Sequence, residues 1–163
     1  MFEWKMNSNG KSALMIDGAR RVGKSTIAEV FAKNEYDDYL LIDFVNASKD
    51  IKDNFDNLGN MDVFFRNLFL FAGKGLKSSN SVIIFDEVQK FPRAREAIKY
   101  LVKDGRYHYI ETGSLISIKK KSQEIVIPSE EDKRKMYPMD FEEFLWATGD
   151  NVTAPFIKDC FEK

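Results

Sequence analysis

The chain has 163 residues, the length of one domain with room for a small extension. With 44% hydrophobic and 31% charged residues it is typical of a globular protein, which excludes collagen-like, disordered and membrane-spanning classes. The formal net charge of -1 is spread evenly along the sequence, so the strong positive field that attracts nucleic acid is absent. The single cysteine, Cys160, has no partner for an internal disulfide or a zinc site, and we expect a reducing, cytoplasmic location.

Apolar runs alternate with longer segments of helical periodicity, and this alternation predicts an α/β protein with a parallel sheet. The runs predict four buried strands, at Ala13–Asp17, Tyr39–Phe44, Ser81–Phe85 and Tyr107–Thr112. The periodic segments predict helices from Lys24 or Ser25 through Phe31, from Asp62 to Lys74, and from Pro92 to about Asp104.

Beyond Ser114 the periodicity weakens. The pattern there indicates two short strands and a short amphipathic helix, at Ile125–Ile127, Lys133–Tyr137 and Phe141–Thr148. We assign residues 1–150 to one domain. We expect residues 151–163, which contain apolar side chains at helical spacing, to begin a truncated C-terminal region.

A glycine-rich segment between the first predicted strand and the next helix matches GxxxxGK[ST] at every fixed position. Its residues are Gly18, Ala19, Arg20, Arg21, Val22, Gly23, Lys24 and Ser25, followed by Thr26. Glycines leave the backbone amides open to phosphate oxygens, and the helix N-terminus adds its positive dipole end. Lys24 brings a cation to the β and γ phosphates, and Ser25 offers a hydroxyl ligand to Mg²⁺. The segment therefore predicts binding of a nucleoside triphosphate with Mg²⁺.

A second motif follows the third predicted strand, where SVIIFDEVQ places Asp86 and Glu87 at the strand's C-terminal end. In an open parallel sheet the C-terminal strand ends lie on the ligand side, so this pair faces the same crevice as the glycine-rich segment. We expect Asp86 to hold the hydrated Mg²⁺ and Glu87 to act as general base toward the attacking water. The alternative is that both carboxylates belong to the solvated start of a loop.

Polar residues also end the fourth predicted strand, at Glu111, Thr112, Gly113 and Ser114. In the functional interpretation a hydroxyl there contacts the γ phosphate or the lytic water. Thr112 is the candidate catalytic residue, and the choice between it and Ser114 stays open. The alternative is a polar turn that Gly113 closes.

In this order, GARRVGKS, IIFDEVQKFP, YIETGS and MYPMDFEEFLWA resemble the AAA-type P-loop ATPases of archaea and bacteria that usually carry a C-terminal domain of unknown function. The resemblance spans roughly Ala13 to Ala147. It implies a three-layer α/β/α P-loop NTPase fold with a mainly parallel central sheet. It also implies ASCE-type strand order, in which the strand ending at Thr112 lies between those ending at Gly18 and Asp86. Nucleotide roles carry over to Lys24, Ser25, Asp86 and Glu87.

The residues and the resemblance together predict Mg²⁺-dependent ATP binding and slow hydrolysis, with Lys24, Glu87 and Thr112 as catalytic residues. ATP is favoured over GTP because residues 46–50, NASKD, differ from the NKxD base reader and lie too early in the chain. A nucleotide-controlled binding module with little turnover and a small-molecule phosphotransferase are the alternatives. A homo-oligomer or a partner protein fits this function, whereas the net charge does not support nucleic acid and no membrane partner is expected.

Several other polar residues have a simpler structural interpretation. Arg93 and Arg95 follow the Asp86 strand, and solvated positions at the start of a helix are favoured over an arginine finger. The basic runs at 119–121 and 133–135 are interpreted as solvated surface, and His108 as a packed side chain.

Overall fold

A computed structural model describes residues 1–77, 80–114 and 129–161. Within these ranges five strands form one sheet in which every neighbouring pair is parallel, in the order β2-β3-β4-β1-β5. The strands are β1 Ala13–Gly18, β2 Asp38–Asp43, β3 Ser81–Asp86, β4 His108–Ser114 and β5 Glu131–Met136. Because β4 lies between β1 and β3, the ASCE-type order implied by the resemblance is confirmed.

Helices cover the sheet and occupy the connections between its strands. In the described ranges these are α1 Phe2–Ser8, α2 Lys24–Glu35, α3 Lys49–Asn54, α4 Met61–Ala72, α5 Pro92–Asp104, α6 Phe141–Ala147 and α7 Thr153–Phe161. Two single 3₁₀ turns, Phe55–Asn57 and Val88–Lys90, complete the set for this part of the chain. None of these helices combines the length and the apolar character needed to cross a membrane.

Alternate residues of β1 serve two apolar clusters, one on each face of the sheet. Ala13 and Met15 belong to the larger cluster, which α3, α4 and α5 cover. Leu14 and Ile16 belong to the smaller cluster, with residues of α1 and α2. All of β1 is buried, and this double coverage explains why the strand is a continuous apolar run in the sequence.

Aromatic rings fill the larger cluster. Neighbouring rings in this cluster have centroids 5.2–5.8 Å apart and meet edge-on or tilted; these rings are Phe44, Phe55, Phe85 and Phe91. They pack beneath the C-terminal ends of β2 and β3. The segment that follows β3 is therefore anchored to the core by Phe91, which limits how far that segment can move.

Some segments differ from the sequence expectations. Helices α1 and α3 were not predicted, because seven and six residues are too few to show a clear helical period. The predicted strand at 133–137 runs instead from Glu131 to Met136. The predicted strand at 125–127 and the basic run at 119–121 lie outside the described residues.

His108 is packed, as expected. Its Nδ1 lies 2.8 Å from the Tyr36 hydroxyl, and its ring meets the edges of Trp4 and Tyr36. Burial, with a smaller contribution from the Lys5 cation, lowers the pKa of His108. His108 is the first residue of β4 and lies at the opposite end of the strand from Thr112 and Ser114.

Candidate functional site

The glycine-rich loop connects the buried strand β1 to α2, and its geometry requires unusual backbone angles. Gly23 has a φ of 94° and Arg21 a φ of 64°, both in the left-handed region. Gly18 is required for a different reason, since a Cβ there would lie 2.2 Å from the carbonyl oxygen of Met136 on β5. Gly18 was expected to give phosphate oxygens access to the backbone amides, and the close approach of β5 is a second reason for a glycine at this position.

Lys24 is the first residue of α2, and its side chain is 4% exposed. Its ammonium donates a 2.7 Å hydrogen bond to the carbonyl oxygen of Ala19, so the side chain reaches back across the loop. A buried ammonium needs anionic or carbonyl partners, and here one loop carbonyl meets it. The loop and its lysine thus form a concave, cationic cradle of the kind that binds phosphate.

The loop meets the end of β3 through Ser25. The Ser25 hydroxyl donates a 2.6 Å hydrogen bond to Oδ1 of Asp86, a carboxylate that is 9% exposed. The hydroxyl of Thr112, on β4, donates to the same carboxylate oxygen. Three oxygen groups from α2, β3 and β4 therefore converge at one point on the C-terminal edge of the sheet.

Glu87 follows Asp86 in a left-handed conformation, with a φ of 56°. Its backbone N–H donates a 3.1 Å hydrogen bond to the Thr112 hydroxyl oxygen. Its carboxylate accepts a hydrogen bond from the side-chain amide of Gln89, whose oxygen accepts one of 3.3 Å from the Ser114 N–H. Thr112 and Ser114, the two alternatives at the end of β4, thus both hold the segment after β3, and both are buried.

Oxygen ligands at this edge suit Mg²⁺, which prefers hard oxygen donors and keeps several waters. In the described ranges no group of three or more His, Cys, Asp or Glu side chains is arranged to hold a metal. One serine hydroxyl and one aspartate are available, so a metal there needs further oxygens from water and from a bound polyphosphate. The donor set fits a metal that arrives together with its nucleotide.

The remaining predicted loop residues lie on the surface of this cradle. Ala19, Arg20, Arg21 and Thr26 are exposed, and Val22 is partly buried. A cavity of about 500 Å³ opens beside the loop, between it and the segment that follows β5. Its lining residues are Arg21, Val22, Pro138, Met139, Asp140, Phe141 and Phe144.

The expectation that Arg95 is a solvated residue at a helix start is wrong. Its guanidinium forms two 2.6 Å hydrogen bonds with the carboxylate of Glu131, and the two side chains are 3% and 2% exposed. Arg93 does lie on the surface, where it pairs with Asp56. Both arginines are therefore already paired with carboxylates other than Asp86 and Glu87.

The burial of two acids, Asp17 on β1 and Glu111 on β4, was not predicted from the sequence. Glu111 on β4 is fully buried, and burial, followed by the neighbouring Glu131 carboxylate, raises its pKa well above the ordinary value. Burial also raises the pKa of Asp17, although Lys133 opposes that shift. Both acids lie on the face of the sheet that Arg95 covers. Glu111 is the register partner of Met15, and Asp17 shares the face of Met15 because the two residues are two positions apart on β1. Only the strand register brings these side chains together.

Comparison with known proteins agrees with this geometry. A family model described as an AAA domain matches residues 10–145. The chain belongs to the AAA-domain family. No curated protein matches it significantly.

Solved structures support the AAA fold. One match is a chain from a structure of Drosophila ORC bound to AT-rich DNA and Cdc6, with a TM-score of 0.51 and 11% sequence identity. The alignment covers 93% of the present chain and 61% of the Drosophila chain. At this identity the likeness concerns the fold. It agrees with the α/β architecture described above.

Proposed function

We propose that this AAA domain binds ATP with Mg²⁺ and hydrolyses it slowly, as a motor or a switch for a partner. The single observation that supports this most strongly is the 2.6 Å hydrogen bond between Ser25 and Asp86. It joins the helix of the phosphate loop to the acidic end of β3, although the two residues are far apart in the sequence. The contact brings together the two residues that the proposal assigns to the Mg²⁺.

The proposed roles follow from the positions of the side chains. The amides of the loop and the Lys24 ammonium would hold the phosphates, and the Lys24 side chain would exchange its bond to the Ala19 carbonyl for one to a phosphate oxygen. Ser25 and Asp86 would hold the Mg²⁺, which neutralises charge that develops on the phosphate oxygens. Glu87 would accept the proton of the attacking water. Thr112 would position both residues, because its hydroxyl donates to the Asp86 carboxylate and accepts from the backbone N–H of Glu87.

The base and ribose have a natural place in this arrangement. Along the sheet, β3 and β5 lie on opposite sides of β1. We place the base of a nucleotide whose terminal phosphate lies near Asp86 on the β5 side, because the cavity beside Arg21 and Val22 opens there. Phe141 and Phe144 in its lining offer aromatic surfaces of the kind on which bases stack.

The experiment that tests the proposal measures ATP binding and phosphate release with Mg²⁺ present. Lys24→Ala should abolish measurable ATP binding. Glu87→Gln should keep ATP binding but lower kcat by about 10²-fold or more, which is the range for loss of a general base. Lys99→Ala and Glu96→Gln, which change the same residue types at exposed positions of α5, are the matched controls. Unchanged ATP binding by Lys24→Ala contradicts the proposal.

The same assay separates the two alternatives. A regulatory binding module binds Mg·ATP and releases almost no phosphate, in wild type and Glu87→Gln alike. A phosphotransferase consumes ATP only after an acceptor is added. We favour hydrolysis because Glu87 follows Asp86 directly and its carboxylate lies on the same edge as the loop. We also propose residues 1–150 as the ATPase unit.

A further inference from the structure

Gln89 links the proposed general base to the end of a neighbouring strand. It lies in the 3₁₀ turn Val88–Lys90, two residues after Glu87, and is 7% exposed. Its amide nitrogen donates to Oε2 of Glu87, and its amide oxygen accepts a 3.3 Å hydrogen bond from the Ser114 N–H on β4. The roles proposed above for phosphate binding, metal binding and proton transfer do not involve Gln89.

The two contacts fix the orientation of the Gln89 amide. A carboxylate only accepts hydrogen bonds, so the NH₂ group must face Glu87. A backbone N–H only donates, so the amide oxygen must face Ser114. One orientation satisfies both partners. Glutamate at this position would present a second carboxylate to Glu87, and leucine or methionine would satisfy neither partner.

The backbone gives Glu87 a reason to need such a partner. Its left-handed conformation is uncommon for a residue with a side chain, and such a conformation persists only where neighbouring groups hold it. The Thr112 hydroxyl holds the Glu87 N–H, which positions the backbone. The carboxylate itself accepts a hydrogen bond from the Gln89 amide, and that amide is held at the end of β4 by its hydrogen bond from the Ser114 N–H.

We propose that Gln89 is a positioning residue that holds the Glu87 carboxylate against the end of β4. The inference rests on the proposed function, because it requires Glu87 to act on water. Misplacing a catalytic group by about 1 Å costs on the order of 10²-fold in rate, so loss of this support lowers turnover without weakening ATP binding. Residues of the phosphate loop are not part of this contact.

The test combines Gln89→Leu with Glu87→Gln in a double-mutant cycle on the full chain. We expect Gln89→Leu to lower kcat by about 10- to 10²-fold while KM and the Kd for Mg·ATP stay within about twofold. Gln89→Glu, which preserves the side-chain shape, should lower kcat to a similar extent. In the Glu87→Gln background, Gln89→Leu should cause no further loss, because two residues that act as one unit are not additive. Lys90→Ala, at the exposed neighbouring position, is the control.

The outcomes separate this inference from the proposed function. If Glu87→Gln retains full turnover, the proposed role of Glu87 fails and Gln89 has no general base to position. If Glu87→Gln is inactive but Gln89→Leu keeps the wild-type kcat, the inference alone is wrong. If Gln89→Leu loses ATP binding along with turnover, or lowers the rate equally in both backgrounds, the residue is structural and the inference is overturned.

Discussion

The buried ion pair between Arg95 and Glu131 allows a prediction of stability. The pair joins α5 to the edge strand β5, and its two side chains are 3% and 2% exposed. Arg95→Met keeps much of the apolar stem and removes the charge, which leaves the Glu131 carboxylate buried beside Glu111. Breaking a buried pair from one side costs about 3–5 kcal/mol. For a chain of this size each 1 kcal/mol lowers Tm by roughly 2–4 °C, so we expect a fall of about 6–20 °C.

Thermal and urea unfolding measure this effect, and Arg93→Met is the matched control. Arg93 and Asp56 form an ion pair in which both side chains are 55% exposed, and such surface pairs contribute about 0–1 kcal/mol. Replacing both members of the buried pair, with Arg95→Met and Glu131→Leu together, should recover most of the loss because the Glu131 carboxylate is no longer left buried without its partner. If Arg95→Met destabilises no more than Arg93→Met, the reasoning about the buried pair is refuted.

Three further predictions concern neighbouring parts of the molecule. Burial raises the pKa of Glu111 well above its ordinary value of 4.5, so the unfolded chain releases this proton at a lower pH than the folded chain and stability falls as pH rises. Glu111→Gln should flatten the pH dependence of the unfolding free energy, measured with urea between pH 5 and 9, and should stabilise the protein at neutral pH. An unchanged pH dependence in Glu111→Gln would contradict the raised pKa. Gly18→Ala should lower the free energy of unfolding by at least about 1–3 kcal/mol and weaken ATP binding, because the new Cβ would collide with the Met136 carbonyl. Gly75→Ala, where a Cβ meets open space, should change neither quantity when the same urea unfolding and ATP titrations are made. Phe144→Ala should weaken ATP binding and leave tripolyphosphate binding unchanged in calorimetry; equal losses for both would remove the base from that cavity.

The sheet and the phosphate loop were predictable because their signals are local. β1 and β3 are doubly covered strands, which makes each a continuous apolar run, and a run followed by a polar end predicts the edge at which a ligand binds. The loop combines fixed glycines with Lys24 and Ser25, and the strand order followed from the family resemblance. The meeting of Ser25 with Asp86 needed only the rule that parallel strand ends share an edge.

Other features depend on register, which the sequence pattern did not supply. Arg95 looked like a solvated residue because its partner, Glu131, lies on a strand whose start was misplaced by two residues. The buried Glu111 could not be distinguished from a polar strand end without knowing that β4 lies between β1 and β3. Gln89 gave no signal, since its importance arises from contacts with both Glu87 and Ser114.

Calorimetric titration of ATP, with Mg²⁺ and with a chelator, tests the central claim most directly when wild type and Ser25→Ala are compared. The account predicts that Mg²⁺ tightens ATP binding to the wild type. In Ser25→Ala this gain should disappear, while the affinity for metal-free ATP stays close to that of the wild type. A Ser25→Ala variant with the full Mg²⁺-dependent gain would contradict the account, because the hydroxyl that contacts Asp86 would then have no part in holding the metal.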